Sequence, residues 1–505
     1  MNWSTYQQAI FDAVANSDSN LAINAVAGSG KTTTIVHAAS LLQGDVAFLA
    51  FNKHIVGELE RRLPKKVSAM TIHSLGYKAL SRKRRPTMSE YKHADIIDAL
   101  LAKTMEGRSA TYKRAISRLV DLARLTLTNL ADHDAAGALI SHHGISAQIA
   151  EALDELSDQI PGGRWSYSDL YGQVVRMAAM VIAEGIREYR ESGRIDFTDM
   201  LYLPVKLQLA PHRYDVVLVD EAQDLSAAQL ELVKLAGRRI IAVGDPSQAI
   251  QGFAGADNRS FANLVEQTNA VELPLSICWR CPTSHLDLAR GLVPHIEARP
   301  EAPAGRVLHI TREQFAGLPH QGDLIICRRN APLVGAALRL IAAGVQARIR
   351  GRNIGEGLVK MAADADKIKL VVDLPWRAGF AQRLERYGEN RRVMLAQKPH
   401  SEMAIQALGD SVECINAFLA GRQDIESLAE LKTQLGALFA DAGASVWLSS
   451  IHRAKGLEAD RVFVLDPDKM ALSYPSMRPW QVEQENNLRY VGLTRSKCDL
   501  YFVQE

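Results

Sequence analysis

The stretch "LAINAVAGSGKTTT", Leu21 to Thr34, joins a short apolar run to a glycine loop and a lysine–threonine pair. An apolar run ending in a glycine loop predicts a buried parallel strand with its polar chemistry at the C-terminal end. "AGSGKT" fits the close of the GxxxxGK[ST] pattern, with Ala25 where the pattern has its first glycine. Gly28 and Gly30 still supply the backbone freedom that lets a loop of N–H groups cradle phosphates. In that reading Lys31 reaches the β/γ-phosphates and Thr32 holds Mg²⁺. The plain alternative is a glycine turn before a helix.

A second signal supports the phosphate reading. "VVLVDEAQD", Val216 to Asp224, places Asp220 at the end of an apolar strand, from which a carboxylate can hold Mg²⁺. Glu221 follows as the candidate general base that orients water toward the γ-phosphate. Further runs, "DVAFLAF", "RRIIAVGD", "GDLIICRRN", "SVWLSSIH" and "RVFVLD", read as more buried parallel strands, and such runs cluster near residues 21–75, 214–275, 306–350 and 445–504. Ligand sites of open α/β sheets lie at the carboxyl ends of such strands. Between the clusters, residues 79–194 and 356–444 carry apolar residues at helical spacing. The expected architecture is two parallel α/β domains, each interrupted by a mainly helical insertion.

Composition bounds the rest. A chain of 505 residues with 47% hydrophobic and 23% charged residues fits a soluble multidomain protein. Its net charge of +2 makes any nucleic-acid surface local, as Arg61–Lys66 and Ser81–Pro86 could be. Five cysteines in so long a chain argue against a disulfide framework. Neither a secretory signal nor an apolar run of ~18 residues is apparent, so a cytoplasmic protein without membrane contact is expected.

"DEAQD" followed by "VGDPSQAI", Val243 to Ile250, opens an ordered series that resembles the UvrD/Rep-like branch of superfamily 1 DNA helicases. "YQQAI" (6–10) is similar to the family's N-terminal glutamine motif, and "AFNK" (50–53) and "TIHSLG" (71–76) to motifs Ia and Ic. "DFTDML" (196–201), "SSIHRAKGLEADRVFVL" (449–465) and "ENNLRYVGLTRSK" (485–497) continue it. The resemblance implies two RecA-like motor domains: 1A at 1–78 and 195–275, with insertion 1B at 79–194, and 2A at 276–355 and 445–505, with a short insertion 2B at 356–444. It implies a compact member, phage-type or Fbh1-like, acting as an ATP-dependent 3′-to-5′ helicase in DNA replication, repair or recombination.

The resemblance also assigns residues. ATP and Mg²⁺ would sit between the motor domains, against Ala27, Gly28, Ser29, Gly30, Lys31, Thr32 and Thr33, with Thr32 and Asp220 on the metal. Gln7 would read adenine (Gln8 is the other register), Glu458 would contact the ribose, and Gln248 would sense the γ-phosphate or the attacking water. Arg495 would serve as an arginine finger, a device worth about 10³–10⁵ in rate. Phe51, Asn52, Lys53, His73 and Phe253 map to the track for single-stranded DNA, with tailed or forked duplex as substrate. A monomer is expected, with a protein loading partner left open. A nucleotide-gated DNA-binding remodeller that separates no strands is the alternative function.

Two places depart from the family pattern. In "QGFAGAD" a stacking aromatic has become Gln251 and an arginine Ala254, a loss of ~1–3 kcal/mol per stacked base. In "LSICWRCP", Leu275 to Pro282, Cys278 and Cys281 have the spacing of half a zinc site, but no second pair follows. Aligned with the family's motif IV, Trp279 replaces the tyrosine that stacks on adenine and Arg280 becomes a second finger. The cysteines then read as packing residues.

Overall fold

The computed structural model describes residues 3–50, 52–102, 104, 106, 109–159, 166–250, 259–370, 374–396, 402–439, 443–475 and 477–504. By its internal contacts the chain divides into two units, Met1–Ser276 and Ile277–Glu505.

In the first unit the apolar runs become β1 (Leu21–Ala25), β2 (Val46–Ala50), β3 (Val67–Thr71), β6 (Tyr214–Val219), β7 (Gly237–Gly244) and β8 (Val271–Leu275), with a small pair, β4 (Thr87–Met88) and β5 (Arg194–Ile195), beside them. The six form one sheet in the order β3-β2-β6-β7-β1-β8, and every pairing is parallel. Burial on both faces explains why the runs are continuous rather than alternating. Along β2, Val46 and Phe48 join one core while Ala47 and Leu49 join the other. Pro274 sits in β8, an edge strand, where its missing N–H costs no ladder bond.

The second unit has β11 (Arg306–Thr311), β12 (Leu324–Cys327), β13 (Ala347–Ile349), β14 (Val446–Ser450), β15 (Ala459–Leu465) and β16 (Ser496–Gln504), with a short pair, β9 (Ile277–Cys278) and β10 (Glu297–Ala298), at its start. Its six strands are ordered β11-β16-β15-β12-β14-β13, again all parallel. The expected fold class, two parallel-sheet α/β domains, is the one observed.

The stretches between strand clusters are helical. Lys92–Leu101, Ala110–Thr126, His133–His142, Ile145–Gln159 and Tyr167–Ser192 fall in the first unit, and Arg352–Asp366, Trp376–Ala396, Glu402–Gly421 and Leu428–Leu438 in the second. Among the described residues no helix is long and apolar enough to cross a membrane.

Candidate nucleotide site

β1 ends at Ala25 and the helix Lys31–Leu41 begins on Gly30, so the loop between them turns at a strand's C-terminal end. Gly28 and Gly30 have φ of 68° and 80°, left-handed values that favour glycine. A Cβ on Gly30 would meet nothing within 4 Å, so backbone conformation rather than crowding selects glycine there. Ala27 and Ser29 are buried, and among the described residues the Ser29 hydroxyl has no hydrogen-bond partner. An orphaned hydroxyl in a loop of this shape fits an oxyanion ligand.

Thr32 Oγ1 donates to Asp220 Oδ2 at 3.3 Å, bringing together the two residues expected to hold Mg²⁺. Burial and the neighbouring Glu221 charge push the Asp220 carboxyl up to about 6, against the pull of Lys31. Hard oxygen donors with unrelieved negative charge fit a magnesium ion. Glu221 itself stands at φ 53°, a left-handed backbone uncommon for glutamate. Its N–H donates to Asp220 Oδ1 at 2.9 Å. At the end of β7, Gln248 is buried and donates through Nε2 to Asp245 Oδ2 at 2.6 Å. Lys31, Thr32, Asp220, Glu221 and Gln248 therefore stand at the C-terminal ends of β1, β6 and β7, three neighbouring strands of one sheet.

Gln7, the residue expected to read adenine, has both ends of its carboxamide bonded within the first unit. It is buried; its Oε1 accepts from the Ser4 N–H at 3.1 Å, closing a capping box. Its Nε2 donates to Thr34 Oγ1 at 2.9 Å, so the carboxamide ties the N-terminal helix to the helix after the phosphate loop. The Gln8 carboxamide, on the solvent side, donates to the Trp3 carbonyl at 3.3 Å. Thr33 accepts from Arg62 Nη2 at 3.2 Å.

In the second unit Trp279 is 39% exposed. Arg280 is held by Glu458 through Nη2 at 2.6 Å and donates through Nη1 to the Thr494 carbonyl at 3.1 Å. Lys497 also pairs with Glu458, at 2.7 Å, and these cations outweigh burial and hold the Glu458 carboxyl below its ordinary range. The two residues expected on ribose and phosphate are thus partners of each other. Arg495 is 1% exposed and donates to the Val491 carbonyl at 2.8 Å, the Leu457 carbonyl at 3.2 Å and Thr494 Oγ1 at 3.0 Å. The residue expected as an arginine finger thus has its guanidinium bonded within its own unit.

Cys278 and Cys281 are both fully buried. The Cys281 N–H donates to Cys278 Sγ at 3.4 Å, and the Cys281 thiol to the Thr494 carbonyl at 3.7 Å. Among the described residues neither belongs to a cluster with metal-ligand spacing.

Of the residues assigned to DNA, Phe51 and Phe253 lie outside the described residues, as do Gln251 and Ala254. Asn52 caps the helix Lys53–Arg62, its Oδ1 accepting from the Ile55 N–H at 3.0 Å, and Lys53 is exposed. His73 follows β3, and burial lowers its pKa. Its ring lies 6.2 Å from that of Phe197, edge-on, and Phe197 is 58% exposed. The signal for Phe197 in the sequence is a lone aromatic in the polar context of "DFTDML". His452 has a signal of its own, since "SIHR" at the end of β14 repeats the "TIHS" at the end of β3. Burial, aided by Arg328, lowers His452 to about 3.

The UvrD/REP helicase N-terminal domain matches residues 6–269, and the UvrD-like helicase C-terminal domain residues 383–504. The chain belongs to the UvrD/REP helicase family. It is 23% identical over 534 residues to F-box DNA helicase 1 of Gallus gallus, covering 99% of this chain and 48% of that protein, and so spans about half the relative's length. It is 26% identical over 552 residues to the ATP-dependent DNA helicase UvrD2 of Mycobacterium tuberculosis, covering 94% of this chain and 75% of the relative. Among solved structures, the arterivirus nonstructural protein 10 helicase with DNA aligns over 98% of this chain and 62% of its own, at a TM-score of 0.35 and 10% identity, too distant a likeness to bear on mechanism.

Proposed function

We propose that this chain hydrolyses ATP to move 3′-to-5′ along single-stranded DNA and separate tailed or forked duplex. One observation carries the reading: Thr32 of the phosphate loop bonded to Asp220, with Glu221 next to it in an uncommon backbone conformation. Lys31 offsets charge on the β/γ-phosphates, and the loop N–H groups orient them. Mg²⁺, held by Thr32 and Asp220, supplies charge neutralisation when bound. Glu221 orients a water and takes its proton as the water oxygen bonds to the γ-phosphorus, while the bond to the bridging oxygen breaks and ADP leaves. Gln248, bonded to Asp245 beside these groups, senses the γ-phosphate. Arg280 and Arg495 enter this reading as phosphate contacts. Asn52, Lys53, His73 and Phe197, with Phe51 and Phe253, form the DNA-contacting set, in which the exposed Phe197 ring offers a stacking face.

Unwinding of 3′-tailed against 5′-tailed duplexes, with Lys31→Ala beside the wild type, tests the proposal. Displacement from 3′ tails only, abolished by Lys31→Ala, is expected. Equal unwinding by that variant would sink the mechanism, and DNA-stimulated hydrolysis without displacement on any substrate would point to the remodelling alternative.

A further inference from the structure

Gln223 makes two bonds that the hydrolytic reading leaves unused. Its Nε2 donates to Glu221 Oε2. Its Oε1 accepts from the Asp245 N–H at 2.9 Å. Asp245 in turn accepts from Gln248 Nε2 at 2.6 Å and from the Ser247 N–H at 3.0 Å. Gln223, Asp245 and Gln248 are all buried, so water competes little for these bonds.

We propose that Gln223 is a positioning residue for hydrolysis: its carboxamide fixes the Glu221 carboxylate to the Asp245–Gln248 turn, holding base and γ-phosphate sensor as one assembly. The inference rests on Glu221 being the base of the proposed reaction. The position calls for a donor toward an anion and an acceptor toward a backbone N–H on one uncharged group, which the Gln223 carboxamide supplies on two separate atoms. Asparagine is one methylene shorter. An ionised glutamate keeps the acceptor and loses the donor. The approach of the two turns also explains Gly244: a Cβ there would lie 2.7 Å from Gln223 Oε1 and 3.1 Å from its backbone nitrogen.

The test uses the full chain and measures kcat and KM for DNA-stimulated ATP hydrolysis, affinity for a fluorescent ADP analogue, and Tm. Gln223→Met and Gln223→Glu should each lower kcat by ~10²-fold, the cost of a catalytic group displaced by an ångström. KM and ADP affinity should hold, since nothing that binds nucleotide has been removed, while Tm should fall only modestly in Gln223→Met, where the buried Asp245 N–H loses its acceptor. Gly244→Ala should reproduce the fall in kcat without altering Gln223. Glu221→Gln should remove nearly all turnover, and adding Gln223→Met to it should cost nothing further, because residues acting as a unit are not additive. Wild-type kcat in the Gln223 variants, a full further loss in the double variant, or a parallel loss of ADP affinity and Tm would each overturn the inference. Undiminished turnover in Glu221→Gln would instead overturn the base assignment, and this inference with it.

Discussion

In the helices between Lys92 and Ser192, Ile96, Ile116, Leu119, Leu156 and Val174 pack into a core whose described members all come from that stretch. In the helices between Arg352 and Leu438, Leu358, Phe380, Ile415, Phe418 and Leu435 share one core with Ile325, Ile349, Leu448, Phe463 and Val503 of the second sheet. The first insertion thus has a core of its own within the first unit, with Tyr189 packed against Leu80 and Met200 at its base, while the second is an outer layer of its sheet. Their attachments differ to match. Lys92 Nζ meets Asp199 Oδ2 at 2.6 Å and the Gly185 carbonyl at 2.7 Å. Arg124 Nη1 meets Asp196 at 2.8 Å and Asp199 at 3.0 Å, and His93 Nδ1 meets Asp196 at 2.7 Å. His93, Asp196 and Asp199 have metal-ligand spacing, but Lys92 and Arg124 already bring positive charge to both carboxylates, so the group reads as a buried ion network. A body with its own core and a charged anchor can come loose alone; a layer sharing a core fails with its sheet.

Three measurements would break or sharpen that contrast. The largest effect is expected from Arg124→Ala, which leaves two carboxylates buried without their shared cation, a loss of about 3–5 kcal/mol. Hydrogen exchange should speed in Ala110–Thr126 and Tyr167–Ser192 while nucleotide affinity at Lys31 persists. Slow exchange throughout would show the network to be incidental.

A matched pair of cavities follows. Phe418→Ala should cost about 3–5 kcal/mol and Leu119→Ala about 2–5. Exchange should rise in β12, β14 and β15 with the first variant, whereas the second should leave β1, β6 and β7 protected. Protection of the second sheet in Phe418→Ala would refute the shared core.

The smallest effect is on acid sensitivity. Burial alone would raise the Asp196 carboxyl, but the His93 hydrogen bond and the Arg124 charge outweigh it and hold the group well below its ordinary 3.8. A depressed folded-state value means that the stabilisation is present above about pH 4 and is lost as pH falls below it. Acid titration followed by exchange should therefore loosen the first insertion's anchor before the second insertion's core. Simultaneous loss, or the reverse order, would contradict the assignment.

Much of the nucleotide site was legible in the sequence because its parts are local. "AGSGKT" and "VVLVDE" each place their side chains by strand–turn–helix geometry, so Lys31, Thr32, Asp220 and Glu221 could be read without the fold. Gln223 was visible as the fourth letter of "DEAQD", yet its acceptor bond to Asp245 crosses to another strand and no spacing announces it. Both arginines lie in motifs that the sequence displays. The Val491 carbonyl is a local partner of Arg495, four residues back in the preceding helix. Glu458 for Arg280 and the Leu457 carbonyl for Arg495 come from the loop before β15, which only the folded second unit brings to them. The Gln7 capping box is written in the sequence as Ser4 followed by Gln7.

By itself the sequence determined the two parallel sheets, the phosphate loop and the carboxylate pair, because apolar run length, glycine placement and acidic strand ends act over a few neighbouring residues. Tertiary structure decided which insertion owns its core, where the guanidiniums point and how Gln223 joins two motifs. Those outcomes depend on contacts between residues far apart in the chain, such as Lys92 and Asp199. Helical periodicity says that a face will be buried, and only the packed fold says against what.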